Sequence, residues 1–249
     1  MDPALFYTGI VADLYAPLRS TVPDPAPYAR FIEVVGEPAL ELGCGDGDPM
    51  LELRRRGIDV EGVDSSADML DRCRRRAAEQ QVEVVVHHQR MEALELPRRY
   101  RSIYLAGPTF NLLPDDAVAT SALERIRAHL DDGGGALIPL FGPEPTPAEV
   151  LGRPREAREP DGSVIRFTAV SQEHDEAGRR QHTVLRYERT SDGDTTAVER
   201  TWTLHWYSQA AFRELALAAG LRTALVLDDT GGVADEAATD CAFWLQPLD

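Results

Sequence analysis

Two hydrophobic patterns alternate along the first part of the chain, and they predict strands and helices in turn. Short apolar runs of the kind found in buried strands occupy 38–42, 58–63, 82–86, 100–105 and 136–141. Between these runs, apolar residues recur every three or four positions, as on one face of a helix, over 49–56, 67–80 and 114–130. Strands that alternate with helices indicate βαβ units and a mainly parallel sheet.

The two ends of the chain extend this pattern. Residues 3–18 and 27–35 are predicted helices, joined by a proline-rich link. Ser208 is a predicted N-cap, because its hydroxyl accepts first-turn N–H groups of a helix that stops at Gly220. Two more strands are predicted near the C-terminus, at 221–227 and 241–245.

A third pattern lies between the last parallel strand and the final helix. Residues 143–160 are rich in proline, and polar and apolar residues then alternate over 163–170, 182–189 and 196–205. The glycine-containing segments 161–162 and 192–194 are predicted turns. Together these features predict an antiparallel β insertion of three or four strands within residues 143–207.

The stretch 41–49 has the composition of a strand end, a glycine turn and a helix start. Its glycines stand at every second position: Gly43, Gly45 and Gly47. Glycine lets the backbone take positive φ and lets a ligand approach it closely. Asp48 and Pro49 are predicted as the N-cap and first residue of the next helix. Asp48 also stands where a dinucleotide-binding G-x-G-x-x-G loop has its third glycine, which disfavours a nicotinamide cofactor.

An acidic residue follows at the end of the next predicted strand. Asp64 lies a little short of the roughly 20 residues that separate glycine turn and acid in related nucleotide-binding folds, where the carboxylate accepts the ribose hydroxyls. The glycine turn, Asp64 and the segment 65–70 together resemble motif I and its neighbouring acid in the class I S-adenosylmethionine (SAM)-dependent methyltransferases. The likeness is good over 36–142 and looser over 200–247.

This resemblance implies a fold and a layout for the whole chain. The expected fold is α/β: a Rossmann-like, seven-stranded, mostly parallel sheet whose last hairpin is reversed, with the antiparallel β insertion between strand five and the last helix. The layout resembles the sugar N,N-dimethyltransferases of antibiotic pathways, in which the inserted sheet walls the substrate pocket or joins subunits. We expect one domain over 1–249, with a helical cap at 1–35 and the insertion at 143–207, and a homodimer is compatible with this layout.

The resemblance also implies SAM as cofactor, S-adenosylhomocysteine (SAH) as its product, and a set of residues around them. The expected cofactor-binding residues are Tyr15, Glu41, Gly43, Cys44, Gly45, Gly47, Asp64, Ser65, Met69, Gln89, Arg90, Met91, Ala106 and Gly107. The residues expected to face the acceptor substrate are Tyr7, Thr109, Phe110 and Asn111. Core packing remains the alternative interpretation of Tyr7, Tyr15 and Met69.

The adenine end of this set departs from the family pattern. Many members have an acid just before the methionine that follows the third strand, whereas this chain has Arg90 before Met91. Two candidates therefore remain for the adenine contact: the side-chain carbonyl of Gln89, which can accept from the amino group, or the main-chain N–H of Met91.

Composition narrows the range of partners. The net charge of the 249-residue chain is −16, which argues against a nucleic-acid partner, because phosphate binding depends on Lys and Arg. No apolar run approaches the roughly 18 residues of a membrane span, and the N-terminal residues have no basic region typical of a signal peptide. Cys44, Cys73 and Cys241 lack metal-ligand spacing, so we expect no metal, and an odd number of thiols is typical of a reducing cytoplasm.

Methyl transfer from a sulfonium is an SN2 displacement that needs alignment rather than a metal or a nucleophilic residue. The expected reaction moves a methyl group to an O or N of a small, natural-product-like acceptor. Candidates for the catalytic groups that handle the acceptor proton are His205, Tyr207 and Asn111, and the alternative for His205 is a surface or internally hydrogen-bonded histidine. A nicotinamide-dependent oxidoreductase and a non-catalytic SAM-binding or assembly protein are the alternative functions.

Overall fold

The parallel pattern of the sequence forms one large sheet. The computed structural model describes residues 3–19, 22–159 and 161–248. The strands of the large sheet are β1 (Ala39–Leu42), β2 (Val60–Asp64), β3 (Val86–His88), β4 (Tyr100–Tyr104), β5 (Leu130–Leu140), β10 (Leu221–Leu227) and β11 (Cys241–Pro247). Their order is β10-β11-β5-β4-β1-β2-β3, and β11 runs antiparallel to both of its neighbours. The predicted fold class is confirmed.

Helices cover this sheet, and buried apolar clusters lie between the two layers. The helices are α1 (Ile10–Leu18), α2 (Ala26–Val35), α3 (Met50–Arg55), α4 (Ala67–Glu79), α5 (Asp116–His129) and α6 (Gln209–Ala218). Three short 3₁₀ helices occur at Pro3–Leu5, Met91–Ala93 and Thr109–Leu112. One cluster joins β4 and β5 to α5 and α6, and a second joins β1 and β2 to α2, α3 and α4.

The alternating segment forms a separate antiparallel sheet. Its strands are β6 (Arg155–Arg158), β7 (Val164–Asp175), β8 (Arg180–Ser191) and β9 (Asp194–His205), paired in that order. A third apolar cluster, which includes Val11 and Leu14 of α1 and Leu185 of β8, joins this sheet to the N-terminal segment. The inserted sheet and the N-terminal segment therefore pack on each other.

Three predicted elements differ from the observed ones. The predicted helix over 3–18 is broken, because Gly9 has φ +56°, and α1 begins only at Ile10. The predicted strand at 82–86 is wrong in its bounds, since the strand that pairs with β2 on its outer side is β3, which begins only at Val86. Residues 131–135, the glycine-rich segment between the predicted helix at 114–130 and the predicted strand at 136–141, form no separate turn but belong to β5, where a Cβ on Gly134 would lie 2.8 Å from the carbonyl oxygen of Arg101. Glycine there permits a close strand approach.

Candidate active site

The glycine turn leaves β1 with a backbone that only glycine adopts readily. The φ angles of its glycines are all positive: +73° at Gly43, +52° at Gly45 and +100° at Gly47. A Cβ on Gly43 would lie 2.7 Å from Cγ2 of Thr109. Bare backbone therefore lines this part of the cleft, and a side chain at Gly43 would close the space between the turn and the segment after β4.

Asp64, at the end of β2, holds the glycine turn from the other side. One carboxylate oxygen accepts a hydrogen bond from the backbone N–H of Gly45 at 2.8 Å, and the other accepts from the N–H of Ser66 at 2.8 Å. Burial raises the pKa of Asp64, while these two N–H donors act in the opposite direction. The strand end and the turn thus meet at one carboxylate, and the ribose contact expected of Asp64 stays a prediction.

Asp48 does not cap the helix that follows the turn, so that prediction is wrong. The N-cap of α3 is Pro49, and no side chain accepts a hydrogen bond there. The Asp48 carboxylate instead binds the guanidinium groups of Arg19 at 2.7 Å and Arg76 at 2.8 Å. Two guanidinium groups bind a carboxylate more strongly than one neutral backbone N–H does, and Arg19 thereby ties the end of α1 to the turn.

The N-terminal segment lies across the start of α4. The Ser66 hydroxyl donates to the carbonyl oxygen of Tyr7 at 2.5 Å, and the N–H of Gly9 donates to Asp68 at 2.6 Å. Arg72 on α4 forms an ion pair with Asp13 on α1. These polar contacts hold the segment over the open edge of the sheet, next to Asp64 and the glycine turn.

A cavity of about 230 Å³ lies beneath this segment, and we call it the cofactor cavity. The candidate residues that line it are Tyr7, Tyr15, Gly43, Gly45, Asp64, Ser65, Met69, Gln89, Arg90, Met91 and Thr109. The lining residues that the sequence did not indicate are Ala4, Val63, Glu92, Leu112, Leu113, Pro114 and Val118. Most of the predicted set therefore meets at one place.

Five expected cofactor residues are not among those that line this cavity: Glu41, Cys44, Gly47, Ala106 and Gly107. Cys44 is buried, and burial raises the pKa of its thiol well above the ordinary value, which makes it a poor nucleophile. Gly47 packs against α3, since a Cβ there would lie 2.8 Å from Leu51. The roles of the five residues stay predictions.

Glu41 is the buried acid of the motif. The Tyr104 hydroxyl donates to Oε2 of Glu41 at 2.7 Å, whereas Oε1 is buried and has no hydrogen-bond partner in the part of the chain that is described. Burial raises the pKa of Glu41 to about 8. An unpaired carboxyl oxygen two residues before the bare turn fits a ligand with an ammonium group, as the amino-acid end of SAM has.

At the adenine end of the cavity, the side chain that was expected to contact adenine is already hydrogen-bonded within the protein. Both ends of the Gln89 amide bind the backbone of Glu95: Nε2 donates at 3.0 Å and Oε1 accepts at 2.8 Å. The adenine contact of Gln89 therefore stays a prediction. Glu92 also lines the cavity, and its carboxylate is an acceptor of the kind that an adenine amino group requires. The one indication of Glu92 in the sequence was that it is an acidic residue two positions after Arg90.

The predicted catalytic residues lie away from this cavity. His205 is 2% exposed, and its Nδ1 lies 3.0 Å from the Tyr207 hydroxyl. The Asn111 amide donates to the carbonyl oxygens of Phe141 and His205 at 3.1 and 2.9 Å, and Phe110 is fully buried beside Tyr207. These contacts hold β9 against the segment after β4. The catalytic and substrate roles of these residues stay predictions, and the structure gives them packing contacts.

The described part of the chain has neither a cluster of metal ligands nor a membrane-spanning helix. Residues 3–19, 22–159 and 161–248 contain no group of three or more His, Cys, Asp and Glu side chains placed to hold a metal ion. Within the same residues, no helix has the length and apolar character needed to cross a bilayer.

Comparison with known proteins identifies methyltransferases that are similar to this chain. A family model described as a methyltransferase domain matches residues 39–134. The dTDP-3-amino-3,6-dideoxy-alpha-D-glucopyranose N,N-dimethyltransferase of Streptomyces fradiae is 30% identical over an alignment of 187 residues, and the match covers 71% of each chain. The match to the family model includes the glycine turn, Asp64 and the segment after β4.

Solved structures show the same fold over nearly the whole chain. The CcbJ methyltransferase from Streptomyces caelestis has a TM-score of 0.78 at 21% identity, with 99% of each chain covered. SAM-bound CalS10, an amino pentose methyltransferase from Micromonospora echinaspora, has a TM-score of 0.67 at 20% identity, with 97% of this chain and 98% of the other covered. Neither alternative function, oxidoreductase or non-catalytic binding protein, is supported by these comparisons.

Proposed function

The chain belongs to the SAM-dependent methyltransferases that act on small molecules, and we propose that the atom it methylates is an amine nitrogen. When bound, SAM supplies an electrophilic methyl group on a sulfonium sulfur. In this proposal Asp64 binds the ribose hydroxyls, the bare backbone at Gly43 and Gly45 follows the amino-acid part, and Oε1 of Glu41 accepts a hydrogen bond from its ammonium group.

The observation that carries the proposal is that the two phenols of the cavity are neutral, while its carboxylates, Asp64 and Glu92, are assigned to the ribose and the adenine. Tyr7 and Tyr15 line the cofactor cavity beside Thr109, and burial raises the pKa of both phenols, so neither is a phenolate near neutral pH. Among the described residues lining this cavity there is no histidine. An alcohol acceptor needs a base to remove its proton, whereas a neutral amine already presents a lone pair.

The chain's own residues then have three tasks. They exclude water, hold the acceptor in line with the C–S bond, and keep the amine unprotonated by placing it against the neutral phenols of Tyr7 and Tyr15. As the nitrogen forms the new C–N bond, the C–S bond breaks and its electron pair stays on sulfur. The methylated ammonium then loses its proton to water. None of these steps requires a side chain that changes its charge.

The relatives support the same choice of atom. The Streptomyces fradiae enzyme is named as an N,N-dimethyltransferase, and CalS10 is named as an amino pentose methyltransferase. Both names describe acceptors that carry an amino group, and the first relative reaches 30% identity over most of the chain.

Matched pairs of acceptors test this proposal. Methyl-labelled SAM is offered with glucosamine or glucose, and with naphthylethylamine or naphthylethanol, and the products are identified by mass spectrometry. We expect label only in the amines. Transfer to an alcohol at a rate within about tenfold of its amine partner would contradict the proposal, since a base-free site discriminates by more than that.

We further propose how the chain is organised around this reaction. Residues 1–35 act as a cap and 143–207 as an inserted sheet within one domain, and the active form is a homodimer. A reducing cytoplasm is the proposed location, and the buried, unpaired state of Cys44, Cys73 and Cys241 supports it. Light scattering of the eluted protein tests the dimer, because a monomer mass of about 27.5 kDa would contradict it.

A further inference from the structure

A second cavity, of about 260 Å³, lies between α1 and the inserted sheet. It is lined by Phe6, Tyr7, Val11, Leu14, Tyr15, Leu18, Arg19, Arg155, Phe167, Leu185, Tyr187 and Trp202. Tyr7 and Tyr15 also line the cofactor cavity. The same two rings therefore separate the two spaces, and a molecule in the second cavity would meet the cofactor cavity at this pair.

Aromatic rings line the second cavity in a continuous chain. Tyr15 packs edge-to-face on Tyr7 at 5.5 Å between ring centroids, and Tyr7 on Phe6 at 4.9 Å. The ring contacts continue from Phe6 to Tyr187, with 6.3 Å between centroids, and from Tyr187 to Phe167, with 5.2 Å between centroids. Such a surface favours apolar and ring-bearing ligands, and even an apolar cavity of roughly 150 Å³ accommodates benzene.

Positive charge in this cavity is scarce. Arg19 is bound by Asp48 at 2.7 Å and faces Asp46 at 3.6 Å. Arg155 is exposed and, among the described residues, its guanidinium has no ion-pair or hydrogen-bond partner. Of the lining residues described, Arg155 is thus the single uncommitted cation, whereas a nucleoside diphosphate carries two charged phosphates that need several such donors.

One polar group in the lining lacks a partner. The indole N–H of Trp202, on β9, is buried and donates no hydrogen bond within the described structure. A buried donor without an acceptor costs free energy, which a ligand offering one oxygen or nitrogen lone pair would recover. The cavity therefore matches a ligand that is mostly apolar and has one acceptor atom.

We propose that the second cavity binds the non-reacting body of the amine acceptor, and that this body is an apolar, ring-bearing group rather than a nucleoside diphosphate. The inference rests on the proposed function, since it assumes that the acceptor is an amine. The amine nitrogen would meet the methyl group of SAM beside the rings of Tyr7 and Tyr15, where the two cavities adjoin. It goes beyond that function by assigning the chemical class of the acceptor and the cavity that selects it.

Calorimetric titration of the protein saturated with SAH tests this assignment. The probes are naphthylethylamine, which carries an apolar ring, and thymidine diphosphate, which carries the two phosphates. We expect naphthylethylamine to bind and thymidine diphosphate to bind at least about tenfold more weakly, because the ring contacts are present and the phosphate contacts are not. Tighter binding of thymidine diphosphate would overturn the proposal.

Cavity-filling variants locate the binding. Leu185→Trp places a large side chain in the second cavity, and Val170→Trp adds the same side chain at an exposed position on β7 as the matched control. We expect L185W to weaken naphthylethylamine binding by about tenfold or more and V170W to leave it unchanged, with SAH affinity kept in both. Equal binding by L185W and wild type would overturn the assignment.

Two further variants cover the case in which L185W does not fold. Leu18→Trp fills the cavity from the end of α1, where the residue is only half-buried. Trp202→Phe keeps a ring and removes the unpaired N–H. We expect L18W to weaken naphthylethylamine binding as L185W does. For W202F, we expect weaker binding of naphthylethanol, whose hydroxyl oxygen can accept that N–H, and little change for naphthalene itself. Unchanged binding of all probes by both variants would overturn the proposal.

The same measurements separate this inference from the proposed function. If the probe binds in the second cavity but label passes to alcohols as readily as to amines, the cavity assignment stands and N-methylation fails. If amines alone are labelled while the cavity variants bind every probe normally, N-methylation stands and the assignment of this cavity fails.

Discussion

Tyr104 and Glu41 form a buried pair in which only half of the carboxyl group is satisfied. The Tyr104 hydroxyl donates to Oε2 at 2.7 Å, and Oε1 has no partner in the described structure. Burial raises the pKa of Glu41 to about 8, and the nearby Asp48 and Asp64 act in the same direction. Without a bound ammonium group, the folded chain therefore keeps a proton on Glu41 near neutral pH.

This proton makes stability depend on pH in a defined window. Glutamate ordinarily titrates near 4.5, so between about pH 4.5 and 8 the folded state binds more protons than the unfolded state. The free energy of unfolding then falls as pH rises through this window, by up to ~1.4 kcal/mol per pH unit from this group. We expect the free energy of unfolding of Glu41→Gln, measured by urea denaturation at several pH values, to fall less steeply with rising pH than that of wild type.

A second variant should change the pH dependence of stability in the opposite direction. Tyr104→Phe removes the donor that favours the charged form of Glu41, so we expect the decline in stability to extend to higher pH. Identical pH profiles for wild type and Glu41→Gln would contradict the raised pKa. SAH titration of the same variants tests the cofactor role, since Glu41→Gln should also weaken SAH binding by about 1–2 kcal/mol.

Asp64 is expected to contribute strongly to cofactor affinity. Asp64→Ala removes an acceptor for the ribose hydroxyls and the group that binds Gly45, and should weaken SAH binding by about 1.5–3 kcal/mol, or roughly 10- to 150-fold. The matched control is Asp59→Ala, since Asp59 precedes the same strand and binds Arg54 and Arg98 instead. An unchanged SAH dissociation constant in folded Asp64→Ala would refute the ribose assignment.

Gly43 should tolerate no side chain. Gly43→Ala would bring Cβ within 2.7 Å of Thr109 Cγ2 at φ +73°, and the left-handed backbone alone costs roughly 1–2 kcal/mol. Gly57→Ala is the control, because its φ is +85° and a Cβ there meets no atom within 4 Å. We expect both variants to lower thermal stability and only Gly43→Ala to lose SAH binding.

A double variant separates strain from collision. Gly43→Ala combined with Thr109→Ser removes the methyl group that the new Cβ would strike, so part of the SAH affinity should return while the backbone strain remains. Equal SAH affinity of Gly43→Ala and Gly57→Ala would show that the turn at Gly43 is not part of the cofactor site.

Local features made much of the fold predictable, and also that the glycine turn and Asp64 lie at one edge of the sheet. Glycines at every second position need positive φ wherever they occur, and an acid at a strand end lies at the ligand-binding edge of a parallel sheet. Both rules use only neighbouring residues, and the structure brings Gly43, Gly45 and Asp64 together accordingly. The inserted strands were predictable for the same reason, because alternation is a local property.

The features that the sequence did not indicate depend on contacts between distant segments. Asp48 was predicted from its local position as an N-cap, but Arg19 and Arg76 compete for its carboxylate in the folded chain. His205 has the spacing of an exposed strand residue, yet Asn111 and Tyr207 surround it. The second cavity exists only because α1 crosses the inserted sheet.

Arg19 should control the mobility of the cap over the cofactor cavity. It joins the end of α1 to Asp48 and Asp46, and its side chain is only 15% exposed. We expect Arg19→Gln to speed amide exchange in residues 10–18 and dissociation of SAH by about tenfold, because the loss of partly buried ion pairs lowers the cost of local opening.

An exposed pair provides the control for Arg19. Arg56 pairs with Glu52 one turn away on α3, and such surface pairs contribute between about 0 and 1 kcal/mol. Arg56→Gln should therefore leave both rates unchanged. If amide exchange and SAH release were as slow in Arg19→Gln as in Arg56→Gln, the result would show that apolar contacts alone hold the cap.

His205 is the residue whose predicted chemistry and observed surroundings differ most. Burial lowers its pKa, with Arg179 acting in the same direction, so the folded state holds the ring neutral. As pH falls through about 6.5 the unfolded chain gains a proton that the folded chain resists, and stability is lost. We expect His205→Gln to reduce this loss of stability on acidification, measured by urea denaturation above and below that pH.

Turnover of the same variant decides between a packing and a catalytic role. His205→Gln keeps a side chain that can hydrogen-bond Tyr207, so the folded variant should transfer methyl groups to an amine acceptor within about threefold of wild type. A loss of turnover of about 100-fold, with SAH affinity and stability intact, would instead show that His205 handles the acceptor proton. The pH dependence of the rate adds an independent criterion, because a packing residue leaves the shape of the kcat profile unchanged.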